Sequence, residues 1–158
     1  MLSRLHLKHL RMSAVGLTSA VLLLTIACAP VEYPAASWQY VQQQRVANGV
    51  QPLEWDAALV APAQVRAQEI AALGRLDHSG FQAAHDQTIP GRYLCEILGR
   101  QPLVDPGYGE AILDAIGQGW IMSQPHRDCA LGVSYRRAAI GAAMGLDGWV
   151  YEVMWLTD

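Results

Sequence analysis

Charge is scarce in this sequence: 16% of its 158 residues are Asp, Glu, Lys or Arg, against about 25% in ordinary soluble domains. Lysine is confined to Lys8, and cysteine to Cys28, Cys95 and Cys129. No internal repeat or low-complexity tract is visible, which sets aside repeat architectures. Neither a Gly-x-Ser-x-Gly elbow nor a His-Glu-x-x-His helix occurs, so a serine-hydrolase elbow and the usual helical zinc-protease pair are both missing. What is present is 52% hydrophobic content, enough for one small domain with a real core and too little chain for two.

The apolar excess is concentrated at the start. Met1 to Met12 carries Arg4, Lys8 and Arg11 without an acid, and the apolar run SAVGLTSAVLLLTIA follows from Ser13 to Ala27. At 15 residues the run is shorter than the roughly 20 that span a bilayer, the pattern of a removable signal peptide over residues 1–27. LTIAC, with Ala27 directly before Cys28, is similar to the lipobox at which bacterial lipoproteins are cleaved and acylated, except that Thr25 stands where Leu is usual. The expectation is lipidation at Cys28, followed by a short tether to Ser37. The alternatives are ordinary cleavage after Ala29, which Pro30 disfavours, and an uncleaved anchor; each exports the domain, to the cell envelope or beyond it. Loss of residues 1–27 leaves eight arginines against 14 acids, a net charge of −6. The arginines are scattered singly except for Arg136-Arg137, so nucleic acid is excluded as a partner. Cys95 and Cys129 then remain as an even pair in an oxidising compartment, either bridged or as two buried thiols.

Along the domain, expected over residues 38–158, Trp38, Val41, Arg45 and Val46 recur at helical spacing and Asn48-Gly49 marks a stop. Asp56 is placed to cap a second helix built on Leu59, Ala63, Ala67 and Ile70, with Pro62 inside it and Gly74 at its end. Arg75 to Pro106, with Gly80, Pro90, Gly91, Gly99 and Pro102, has no sustained period and reads as connecting loops. A third helix carries Ile112, Ala115, Ile116 and Trp120, ending at Ser123-Gln124-Pro125. Val133 to Met144 and Trp149 to Thr157 then flank Gly145-Leu146-Asp147-Gly148, a hairpin signal.

Taken in order, five segments resemble the CAP (SCP/PR-1-like) superfamily, in particular its bacterial branch. YVQQQRVANGVQPLEWDAALVAPAQVRAQEIA (Tyr40 to Ala71) is similar to the opening helix, turn and Ala-rich second helix. DHSG (Asp77 to Gly80) matches the His-Ser element, and Cys95-Glu96-Ile97-Leu98 stands where the family has Gly-Glu-Asn-Ile. WIMSQPHRDCAL (Trp120 to Leu131) resembles the segment ending in Ser-Pro-Gly-His-Arg, and Gly141 to Trp155 the closing hairpin. The resemblance implies an α+β fold, a three-layer α/β/α sandwich around a small antiparallel sheet. It also implies a central cleft in which His78, Glu96 and His126 match three of four family positions. The fourth, a Glu in eukaryotic members, falls on Ser123, as it generally does in bacterial relatives. Cys95 and Cys129 replace two motif residues beside Glu96 and His126, so a bridge between them would pin two cleft loops together. By chain entropy alone, such a closure contributes about 3–4 kcal/mol.

Two imidazoles and a carboxylate can hold a divalent metal such as Zn²⁺ with one position open, or move protons near neutral pH. The plain alternatives are a loop histidine at His78 and a histidine at the C-terminus of a helix at His126. Glu152 shares a strand face with Val150, Met154 and Leu156. An acid there needs a partner or a raised pKa: it either replaces the missing cleft carboxylate or sits solvated at a sheet edge, or paired with Arg136 or Arg137. His85 is expected at the surface rather than as a ligand. Three functions fit: a non-enzymatic envelope module binding a metal ion or a small or lipidic ligand, a metal-dependent hydrolase with Glu96 as base, and a structural protein stabilised by the triad.

Overall fold

The computed structural model describes residues 33–88, 90, 92, 94–103 and 115–158. The signal-peptide and lipidation assignments, Cys28 and Ile112 lie outside them. Among the described residues five helices and four strands follow one another as α1 (Tyr33–Ala47), β1 (Glu54–Trp55), α2 (Ala57–Leu73), α3 (Phe81–Thr88), β2 (Leu94–Pro102), α4 (Ala115–Met122), α5 (Gln124–Ala130), β3 (Arg137–Met144) and β4 (Trp149–Thr157). Among the described residues no helix is long and apolar enough to cross a membrane.

The sheet order is β1-β3-β4-β2. β4 pairs antiparallel with β2 and β3, whereas β1 adds to β3 in parallel, with Glu54 opposite Arg137 and Trp55 opposite Ala138. The sheet is therefore mixed, not purely antiparallel as expected. β1 is a two-residue strand at the edge, where a parallel partner needs no tight turn. Alternation along the strands divides the core into two clusters. On one face Leu98, Tyr151, Val153 and Trp155 pack against Leu59, Ala67 and Ile70 of α2. On the other, Ile97, Ile140, Met154 and Leu156 meet Val41 of α1, Ile116 and Trp120 of α4 and Cys129 of α5. This is a three-layer α/β/α sandwich, and the α+β expectation holds.

Asp56 caps α2 as expected, its carboxylate accepting from the Ala58 N–H at 3.0 Å, and Gly74 closes it in the left-handed region at φ 65°. The helix runs on through Pro62. Residues 75–106 are not the unbroken loop that their prolines and glycines suggest, because α3 and β2 both lie there. β2 tolerates Pro102 because it is an edge strand and the proline is its last residue. α1 starts at Tyr33, inside the expected tether, with Pro34 in its first turn, where a missing N–H costs nothing. Ser123 and Pro125, read as the end of a helix, also begin α5, with Ser123 at the N-cap and Pro125 among its first residues.

Gly141 allows α2 to lie directly on β3. A Cβ there would overlap the backbone carbonyl of Ala63, and backbone cannot rotate away as a side chain can. Gly141→Ala is expected to cost about 2–3 kcal/mol, read as a lowered denaturation midpoint with an unchanged m-value.

Candidate functional site

The site is built on the edge strand β2. Glu96 sits in the α2 layer, opposite Trp155 in the β2–β4 register, and its side chain is almost wholly buried. Burying a carboxylate demands full compensation, and here it is supplied by three groups. Arg66 of α2, itself buried, donates from Nε to Glu96 Oε2 at 3.0 Å. The Trp155 indole N–H donates to the same oxygen at 3.0 Å. His78, from the loop after α2, lies with Nδ1 2.9 Å from Oε1. Arg66 is held in turn by Glu69 and by the Asp77 carbonyl, which fixes the loop carrying His78. The two carboxylates hold the Arg66 guanidinium above its ordinary pKa, overriding the opposing effect of burial, the largest single influence on it.

An ionised carboxylate can only accept, so Nδ1 of His78 carries the proton in that bond and Nε2 is the nitrogen left for a ligand. The His78 side chain is 53% exposed. The His126 ring lies 6.4 Å away between centroids, tilted by 49°. Burial, and then the nearby His78, lower the pKa of His126, which keeps it neutral and available as an acceptor. It sits in the first turn of α5, not at a helix C-terminus, because α5 begins at Gln124.

The disulfide between Cys95 and Cys129 joins β2 to α5 with a Cα–Cα distance of 6.2 Å, within the usual range. Since Cys95 precedes Glu96 and Cys129 follows His126 by three positions, the bridge ties together the elements that carry the two residues. Ser123 forms the junction of α4 and α5; its N–H bonds the Gly119 carbonyl, and its side chain makes no capping bond.

Glu152 stands apart. It alternates with Trp155, so it projects from the opposite face of the sheet to Glu96, toward α1 and α4. β4 is an inner strand, so no sheet edge exposes Glu152. Arg136 is bonded to Gln51, and Arg137 to Asp56 and the Asp158 carbonyl. The carboxylate is fully buried, and among the described residues neither oxygen has a hydrogen-bond partner. Burial raises its pKa to about 8, only partly offset by the nearby Ser37 hydroxyl. His85 lies on α3 rather than in a loop and is mostly buried, bonded to the Arg92 carbonyl at 2.8 Å and to Asp86.

The donor set answers the metal question in part. Among the described residues no three His, Cys, Asp or Glu side chains gather as a metal-holding group. Glu96 does not fit as a third ligand, because Arg66, Trp155 and His78 occupy its oxygens. The two imidazoles fit better. A tetrahedral Zn²⁺ with Zn–N near 2.0–2.1 Å would bring their centroids to about 5 Å, roughly 1 Å closer than they stand. Glu96 would then support His78 from behind, the usual arrangement for a ligating histidine.

Beside this network, α2, α3 and Trp155 enclose a cleft of about 460 Å³ lined by Pro62, Val65, Arg66, Glu69, Gly80, Ala83, Ala84 and Gln87. Arg66 and Trp155 thus belong to both the network and the cleft, and neither was a site candidate from sequence. Arg66 did carry a signal: it lies on the stripe of Leu59, Ala63, Ala67 and Ile70, where a charge requires a buried partner.

No family profile matches the sequence, and no curated protein does. Solved structures do match. An outer surface protein of Borrelia burgdorferi superposes with a TM-score of 0.66 at 16% identity, covering 80% of this chain and 92% of that one. A cysteine-rich secretory protein of Staphylococcus aureus gives 0.57 at 14%, over 80% of this chain and 38% of that one. An extracellular protein of Bacillus anthracis containing an SCP domain gives 0.57 at 16%, over 77% and 39%. The fold is therefore CAP-like, shared with bacterial surface and secreted proteins. This chain spans about two fifths of the latter two.

Proposed function

We propose that this is an exported cell-envelope protein, held to the membrane through Cys28, whose CAP-like domain binds a ligand without turning it over. The observation that carries this reading is the commitment of Glu96 to Arg66, Trp155 and His78. A carboxylate bound in this way orients an imidazole, whereas a hydrolase needs it free to take a proton from water. The neutral His126 and the Nε2 atom of His78 offer lone pairs to a divalent metal. The neighbouring cleft, of ligand size and with walls that combine Val65, Ala83, Ala84 and Trp155 with Arg66, Glu69 and Gln87, suits a small or lipidic molecule whose polar end reaches Arg66. The disulfide and the resemblance to surface and secreted proteins support export.

The ligand reading is tested by titrating a fluorescent fatty-acyl probe and following energy transfer from tryptophan, since Trp155 floors the cleft. Micromolar binding is expected, weakened at least tenfold by Ala84→Trp, which fills the cleft from α3. Equal binding to both proteins, or none to either, would contradict it.

A further inference from the structure

The end of the sandwich at the β3–β4 turn exposes several large apolar side chains around Asp147. Leu146, in the turn, is fully exposed, and Met144 (58%), Leu73 at the end of α2 (52%) and Leu103 just past β2 (46%) are exposed around it. Their backbone segments meet at this one end. The Leu103 N–H donates to the Gly148 carbonyl at 2.8 Å, and Arg100 of β2 donates to the Gly74 carbonyl at 3.1 Å. Between α2 and the turn the patch continues into a groove of about 280 Å³ with Ala71, Ala72 and Ala143 in its walls. Arg75 is exposed beside it, and the Arg100 guanidinium lies 4.6 Å above the Trp149 ring. Leucine and methionine rimmed by arginine and tryptophan is the composition of a surface that enters a lipid headgroup layer.

The course of α1 identifies what meets this surface. Its C-terminal Arg45 is bonded to the Ala130 and Tyr135 carbonyls, at the far end of the sheet, where the Arg136 N–H meets Thr157. Its Ser37 lies against Gly117 of α4 and near Glu152, three residues from the start of β4. The helix therefore points its N-terminus toward the turn end, and Tyr33 lies about 6 Å beyond Ser37 along it. The apolar segment and Cys28 precede Tyr33 directly in the sequence. The opposite end has Val46, Trp55 and Val133 exposed. Asp158 lies there, ringed by Arg92 and Arg137.

We propose that the β3–β4 turn, with Leu73 and Leu103, seats on the lipid bilayer that holds the N-terminal anchor, so that the domain stands with its histidine cleft facing away from the membrane. From Pro102 at the seated end to Glu96 is six residues of strand, about 20 Å. A cleft at that height is open to ligands from the aqueous side. The proposal rests on the anchoring reading above.

The test uses the full chain reconstituted into phosphatidylethanolamine–phosphatidylglycerol vesicles. Leu146→Cys and, separately, Val133→Cys are labelled with an environment-sensitive fluorophore and challenged with brominated lipids. The expected result is a blue-shifted label at position 146, quenched several-fold more strongly than at 133, with Leu73→Cys behaving like Leu146→Cys. Vesicle-bound protein whose labels at 146 and 73 are as aqueous as at 133 would overturn the seating and leave the anchor standing. Protein that does not sediment with vesicles at all would overturn the anchor, and the seating with it.

Discussion

Arg66→Ala is expected to destabilise the domain by about 3–5 kcal/mol, because it strands the Glu96 carboxylate in the interior. Glu96 would keep only the Trp155 and His78 bonds, and the Asp77 carbonyl would lose its guanidinium partner. In a domain of this size that corresponds to a fall in Tm of roughly 10–20 °C. Arg66→Lys rescues little, because one ammonium cannot span Glu96, Glu69 and Asp77 as the planar guanidinium does. Removing both charges with Arg66→Met and Glu96→Leu is expected to be milder than Arg66→Ala alone, since an apolar pair leaves no buried charge. Thermal unfolding of the three variants checks this. With the single variants Arg66→Met and Glu96→Leu measured beside them, a double variant whose loss equals the sum of those two single losses would mean that the pair is not coupled.

Glu152→Gln is expected to act in the opposite direction. Folded Glu152 holds its proton until about pH 8, whereas the unfolded chain releases it near the ordinary value of 4.5. Between these values the folded state binds more protons, so its stability falls as pH rises from about 4.5 to about 8. The full swing is of order 3–5 kcal/mol. Glutamine keeps the shape and removes the ionisation, so the variant should match the parent near pH 5 and exceed it by about that amount above pH 8. Chemical denaturation from pH 5 to 9 measures it. A parent with a flat profile, or one that gains stability across that range, would contradict the raised pKa.

The sequence shows these two acids unequally well. Glu96 is legible only through the resemblance, since 18 residues separate it from His78 and no local period links them. Glu152 is legible from alternation: an acid among Val150, Met154 and Leu156 must be buried or paired, and it is buried. Its side of the sheet is not legible, because it follows from the β2–β4 register, and β2 is hidden from a local reading by Gly99 and Pro102. Gly99 is required there because a Cβ would overlap Ile116 and crowd the Trp120 indole, a tertiary demand that looks like a loop signal. α3, at eight residues, is below the length at which local propensity decides. α5 is concealed because Ser-Gln-Pro serves equally as the stop of one helix and the start of the next. The helices with caps or clear stops, α1 and α2, and the final hairpin were readable because their signals are local.

In the proposed site the two imidazoles hold the metal, and Glu96 orients one of them without serving as a ligand or base. Calorimetric titration of Zn²⁺ into the oxidised protein, beside His126→Ala and Glu96→Gln, distinguishes these roles. The predicted result is micromolar binding that His126→Ala abolishes and that Glu96→Gln, which keeps a hydrogen-bond acceptor behind His78, weakens by no more than about tenfold to a hundredfold. Binding abolished equally by Glu96→Gln and His126→Ala would make Glu96 a direct ligand, and an absence of binding in the parent would remove metal from the cleft's function.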